Sequence, residues 1–89
     1  MQLIIPASMR RHTGGADAIE LMSPTVCEAI ADACEIYPSL ADSLVDEIGE
    51  IRSHLNVYVG AHDIRDLDHL QTPVGPNDEV VLVSALAGG

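Results

Sequence analysis

Apolar and polar positions alternate, fall into helical spacing, and then alternate again along these 89 residues. Residues 2–7 read as a first strand, with Leu3, Ile5 and Ala7 on one face. Residues 9–15 are a polar connection in which Arg10, Arg11, His12, Thr13 and the Gly14-Gly15 pair supply turn chemistry. Alternation resumes over residues 16–22, with Ile19 and Leu21 inward and Ala18 and Glu20 outward, so the chain opens on a hairpin. Ser23-Pro24 then starts a helix, the serine as cap and the proline preset for the first helical position. At about 100° per residue, Val26, Cys27, Ile30, Cys34 and Tyr37 share one stripe, while Glu28, Asp32 and Glu35 lie opposite. The pattern predicts an amphipathic helix over residues 24–36, ended by Pro38.

Residues 39–45 allow one more short helical turn, and residues 46–53 read as a charged surface connection of little fixed structure. Residues 54–60 form a third strand, Leu55, Val57 and Val59 toward the core, Asn56 and Tyr58 away. Ala61-His62-Asp63 is a turn, Ile64-Arg65 a short edge segment, and residues 66–74 an irregular polar crossing. In the tight turn Gly75-Pro76-Asn77-Asp78, Asn77 is the residue suited to the left-handed conformation. Residues 79–85 make the last strand. Glu79 must face water, so Val81 and Val83 share its face and Val80 and Leu82 take the core. The outer face of this strand is therefore apolar without an internal reason. The order predicts an α+β roll, one main helix packed on one face of a mixed sheet.

Composition narrows the function. An apolar fraction of 47% excludes wholesale disorder, and the length suits one domain with a modest core. A formal charge of −10 leaves no basic stripe for nucleic acid and favours basic partner sites. There is no lysine, so the chain cannot receive an isopeptide bond on a lysine side chain. Cys27 and Cys34 on one helix would lie about 10 Å apart, beyond the ~7 Å reach of a disulfide, and are expected to be buried reduced thiols. No basic, apolar leader opens the sequence, and no stretch approaches the ~20 apolar residues of a membrane span. The expected setting is the cytoplasm.

His12, His54, His62 and His69 show no metal-ligand spacing. Gly14-Gly15 lacks a following Gly-Lys-Ser/Thr and reads as a hairpin turn, not a phosphate cradle. Asp42, Asp46, Glu47 and Glu50 read as a solvated acidic surface. Arg65 has two readings, a contact to a partner or the tail carboxylate, or an exposed structural arginine.

After the last strand come Leu86-Ala87-Gly88-Gly89. Glycines without side chains let another protein's active site close around the bare chain. The expected division is a domain over residues 1–85 and a flexible Gly-Gly tail over residues 86–89.

Further along the same chain stand Ile5-Pro6, Arg11-His12-Thr13-Gly14-Gly15, Asn56-Val57-Tyr58-Val59, Asp63-Ile64-Arg65 and Asn77-Asp78-Glu79-Val80, leading into Ala87-Gly88-Gly89. In this order and spacing the chain resembles the ubiquitin-like β-grasp sulfur carriers, the MoaD and ThiS group, most closely CysO-like members that serve cysteine biosynthesis. It departs from them in having Pro76-Asn77-Asp78 for a frequent Asp-Gly-Asp, Ser84 for a frequent proline, and no phenylalanine.

The resemblance implies a ubiquitin-like β-grasp fold and a protein that is a co-substrate rather than an enzyme. A ubiquitin-activating-type adenylating enzyme, using ATP and magnesium, would adenylate the Gly89 carboxylate, and a sulfur donor would convert it to a thiocarboxylate. An acceptor synthase, cysteine-synthase-like by preference, would take the sulfur; molybdopterin and thiamine remain alternative destinations. The carrier itself would bind no cofactor. Ala87 and Gly88 would thread the partner's channel, residues 84–89 spanning about 20 Å when extended. Tyr58, Val81, Val83 and Leu86 are expected to form the docking patch. Three rival readings stay open: a protein modifier joined through Gly89 to lysines of other proteins, a noncovalent β-grasp interaction module and, least favoured because no nucleophile–base pair or cofactor loop is visible, an enzyme.

Overall fold

The computed structural model describes residues 1–85. Its strands are β1 (Gln2–Ile4), β2 (Ala18–Glu20), β3 (Leu55–Val59), β4 (His62–Asp63) and β5 (Glu79–Ser84). They form one sheet in the order β2-β1-β5-β3-β4. β1 and β5 run parallel and every other neighbouring pair is antiparallel, so the first and last strands of the sequence meet at the centre of a mixed sheet. With helix α1 (Val26–Ile36) packed into the core on one face, this is the β-grasp architecture.

The core is aliphatic. Leu3, Ile5, Val26, Leu40, Leu44, Val80 and Leu82 are its fully buried side chains. Val80 and Leu82 point inward from β5 as the phasing from Glu79 predicts, and Ile19, Leu21, Leu55 and Val57 are buried as expected. Pro38 ends α1 and begins a 3-10 turn that runs into the short helix α2 (Ala41–Leu44). Leu40 and Leu44 project from this segment into the core and close the end of the roll.

Several local expectations are corrected. The opening strand stops at Ile4 because Pro6 leads into a 3-10 helix over Ala7–His12; Ala7 is exposed, and Met9 from the supposed polar connection is buried. The cap of α1 is Thr25, whose hydroxyl accepts the Glu28 N–H at 3.2 Å. Ser23 instead donates to the Asp32 carboxylate at 2.6 Å, tying the chain ahead of the helix to its second turn. The buried stripe of α1 is Val26, Ala29, Ile30 and Ala33, and the two alanines allow close approach to the sheet. Cys27 is exposed and Cys34 half-buried, so the thiols are free but not both buried.

Residues 46–51 are ordered by Asp46, whose carboxylate accepts the N–H groups of Ile48 and Glu50, each at 3.0 Å, while Val45 bridges to Ile51. The expected turn at His62 and Asp63 is an edge strand, and the reversal falls at Gly60, whose φ of 60° favours glycine. Ile64, assigned to an edge segment, opens a 3-10 turn and is buried. The turn before β5 closes by Asp78 N–H to the Gly75 carbonyl and Gly75 N–H to the Asp78 carboxylate. Asn77 is not left-handed; among the described residues His69 is the non-glycine with positive φ, at 54°.

Candidate functional site

Side chains on alternate positions of a strand face opposite sides, so the register defines the outer face of the sheet. One row crosses all five strands there. Ala18 pairs with Ile4, Ile4 with Val81, Val81 with Tyr58, and Tyr58 with Asp63. Below it Val83 stands opposite Asn56. Ile4, Val81 and Tyr58 are half-buried by one another, and Val83 is 40% exposed. The fold therefore brings three of the four predicted docking residues, Tyr58, Val81 and Val83, onto one contiguous face. The fourth, Leu86, lies outside the described residues, as do Ala87, Gly88 and Gly89.

Ile4 belongs to the same row and was not singled out from the sequence. The available signal is its position between Leu3 and Ile5, which alternation assigns inward. An apolar residue left on the outer face of a strand needs the same account as Val81.

The edge of the face is polar and fixed. The Arg65 guanidinium donates to Asp63 at 2.6 Å through Nη2 and at 3.1 Å through Nε, and Nη2 also donates to the Asn56 side-chain oxygen at 2.9 Å. Asp63 in turn accepts the Arg65 backbone N–H at 2.9 Å. The Arg65 hydrogen bonds hold the Asp63 carboxyl below the usual carboxylate range, and the same contacts raise Arg65. Arg65 thus has its structural role, framing the apolar face beside Tyr58.

β5 carries the face toward the tail. It is paired on both sides, to β1 and to β3, and its ladder extends past Ser84 through the Ala85 N–H, which donates to the His54 carbonyl at 2.6 Å. The segment beyond Ala85 accordingly starts from the best-anchored strand of the sheet.

Other chemistry is sparse. Among the described residues no group of three or more His, Cys, Asp and Glu side chains is placed to hold a metal ion. Burial raises the Cys34 thiol above its ordinary pKa, the opposite of what activates a nucleophile. No helix among the described residues is long and apolar enough to cross a membrane.

Comparison with known proteins supplies the context for this face. A model of the ThiS family matches residues 3–89. The sulfur carrier protein CysO of Mycobacterium tuberculosis is 31% identical over 87 residues, covering 96% of this chain and 94% of its own. A chain from the crystal structure of the Amycolatopsis orientalis BexX/CysO complex superimposes with a TM-score of 0.89 at 33% identity, over 99% of this chain and 98% of that one. The crystal structure of Mycobacterium tuberculosis CysO gives 0.87 at 28% identity, over 96% and 98%.

Proposed function

The chain belongs to the ThiS family and is a sulfur carrier, not an enzyme, and on that premise we propose that its sulfur is carried on Gly89. A carboxylate is ionised at neutral pH and a poor electrophile. It becomes reactive when a carboxylate oxygen attacks the α-phosphorus of ATP on a partner enzyme, releasing pyrophosphate and leaving a mixed anhydride. Sulfide attacks the acyl carbon and AMP departs, leaving Gly89 as a thiocarboxylate. A persulfide donor first gives an acyl disulfide, from which a thiol of the donor system displaces the thiocarboxylate by forming a disulfide with the donor sulfur. ATP and magnesium belong to the partner; the carrier contributes the acyl group and the surface by which it is held.

The observation that supports this reading is the placement of β5. The strand that precedes Gly89 is central, paired on both edges, and carries Val81 between Ile4 and Tyr58. A partner that docks on that row gains a fixed origin from which to take up residues 86–89. We assign the docking role to Tyr58, Val81, Val83 and Leu86, with Ile4 added, and the threading role to Ala87 and Gly88. Cysteine or a related metabolite is the destination we propose, through a cysteine-synthase-like acceptor.

Intact mass of the protein purified from its native host tests the proposal. A species heavier by the difference between one sulfur and one oxygen atom, abolished by treatment that hydrolyses thiocarboxylates, is the expected result. Protein that never carries that increment, even when the adenylating enzyme and a sulfur donor are supplied in vitro, contradicts it.

A further inference from the structure

At the root of the tail lies a cleft of about 380 Å³ that the docking row does not include, lined by Ser8, Arg11, Asp42, Arg52, His54 and Ser84 among others. We propose that this cleft receives carboxylate side chains of the adenylating enzyme, a second contact at the end of the roll, apart from the apolar outer face. The proposal rests on the sulfur-carrier reading above.

Charge carries the inference. The chain has 14 acidic residues and 4 arginines, so each guanidinium has many carboxylates of its own with which to pair. Among the described residues only Arg65 does so. Arg11 is exposed, and Arg11 and Arg52 face one cleft with Asp42 as its single acidic residue. Two cations against one carboxylate make the cleft positive on a chain of net charge −10.

Geometry says what occupies it. Arg52 is fixed by its Nε, which donates to the Asp42 carbonyl at 2.6 Å and leaves the remaining N–H groups for a ligand. A planar guanidinium fork matches a carboxylate in bidentate fashion. A polyanion such as nucleic acid would be repelled by the rest of the surface, whereas one or two carboxylates on a neutral or basic protein are not. Ser84 and His54 line the cleft and the Ala85 N–H donates to the His54 carbonyl, so the cleft adjoins the point from which the tail departs.

The test measures binding of this carrier to the ubiquitin-activating-type adenylating enzyme of the same organism by calorimetry, with ATP–pyrophosphate exchange alongside. Arg11→Gln is the principal variant, since the fixed Arg52 also supports its own loop. Met22→Glu lowers the net charge by the same one unit at a fully exposed site outside the cleft. Arg11→Gln is expected to raise the dissociation constant roughly tenfold, with Met22→Glu within about twofold of wild type. Equal affinity for wild type and Arg11→Gln, or equal losses in both variants, overturns the proposal. So does a shift of the Arg11 and Arg52 Nε resonances with millimolar inorganic phosphate and none with the enzyme, which would make the cleft a phosphate site. If wild type supports exchange and Arg11→Gln binds as tightly, the cleft assignment alone fails; if wild type neither binds nor supports exchange, the carrier reading falls with it.

Discussion

Tyr58 on β3 and Val81 on β5 are direct cross-strand partners on the outer face of the sheet, with Ile4 on the other flank of Val81 and Asp63 on the other flank of Tyr58. Val81 is thereby shielded by neighbours on both sides, while Val83, two residues on and opposite Asn56, is 40% exposed. The two valines share a face and differ in what a charge would do to them.

Val83→Asp is consequently the cleaner probe of docking. It should change stability by about 0.5 kcal/mol or less, as exposed substitutions do, and weaken binding to the adenylating enzyme at least several-fold. Calorimetric affinity with a thermal melt on the same sample checks both halves. Val81→Asp places a carboxylate between Ile4 and Tyr58 in the central strand and should lower the melting temperature as well.

Gly89→Val tests the tail separately from the face. The described fold ends its pairing at Ala85, so the variant should melt with wild type while ATP–pyrophosphate exchange falls to background. Normal binding of this variant to the enzyme, combined with lost exchange, would separate docking from chemistry.

Leu44→Ala should cost about 2–5 kcal/mol, read from urea denaturation, because the fully buried Leu44 side chain leaves a cavity that short helix α2 cannot collapse to fill. That is a large share of the stability of a domain this size, and partial unfolding at physiological temperature is the expected phenotype.

The Asp63–Arg65 pair predicts a pH dependence with a definite sign. Asp63 has its pKa depressed in the folded state, so the pair's contribution is present above the ordinary carboxylate range and is lost as pH falls through the depressed value. The stability gap between wild type and Asp63→Asn should therefore be constant near neutrality and close only in strong acid. Carbon-detected titration of the Asp63 carboxyl should give a midpoint below that of an unpaired aspartate.

Thiol reactivity separates the two cysteines. Exposed Cys27 should be alkylated by iodoacetamide well before Cys34, which is half-buried and whose thiol is raised by that burial. Peptide mass mapping over time gives the order.

Much of this was legible in one dimension, for physical reasons that can be named. A strand has a period of two, so placing Glu79 in water fixes Val80 through Val83 at once. The helix was harder to phase: alanine contributes little to an apolar stripe, so Ala29 and Ala33 lost to Cys27 and Tyr37 in the sequence, although small side chains are what a closely packed helix buries. Thr25 and Glu28 stand at capping-box spacing and would have set the boundary better than Ser23. Strand β4, at two residues, is too short to show any periodicity, and the Asp46 loop is held by local hydrogen bonds that leave no pattern. The row proposed for docking needed the register of five strands, which no single segment contains; hence Tyr58, Val81 and Val83 could be proposed one by one, but Ile4 only once β1 was seen beside β5.

That parallel pairing has a consequence for how the protein is made. β5 is the last strand in the sequence and the middle one in the sheet, so β1 and β2 remain a separate hairpin from β3 and β4 until it inserts between them. Contacts of such long sequence separation close late. A chain cut short before residue 79 therefore lacks the strand that joins the two hairpins of its sheet, and a nascent chain completes that sheet only as residues 86–89 are about to follow.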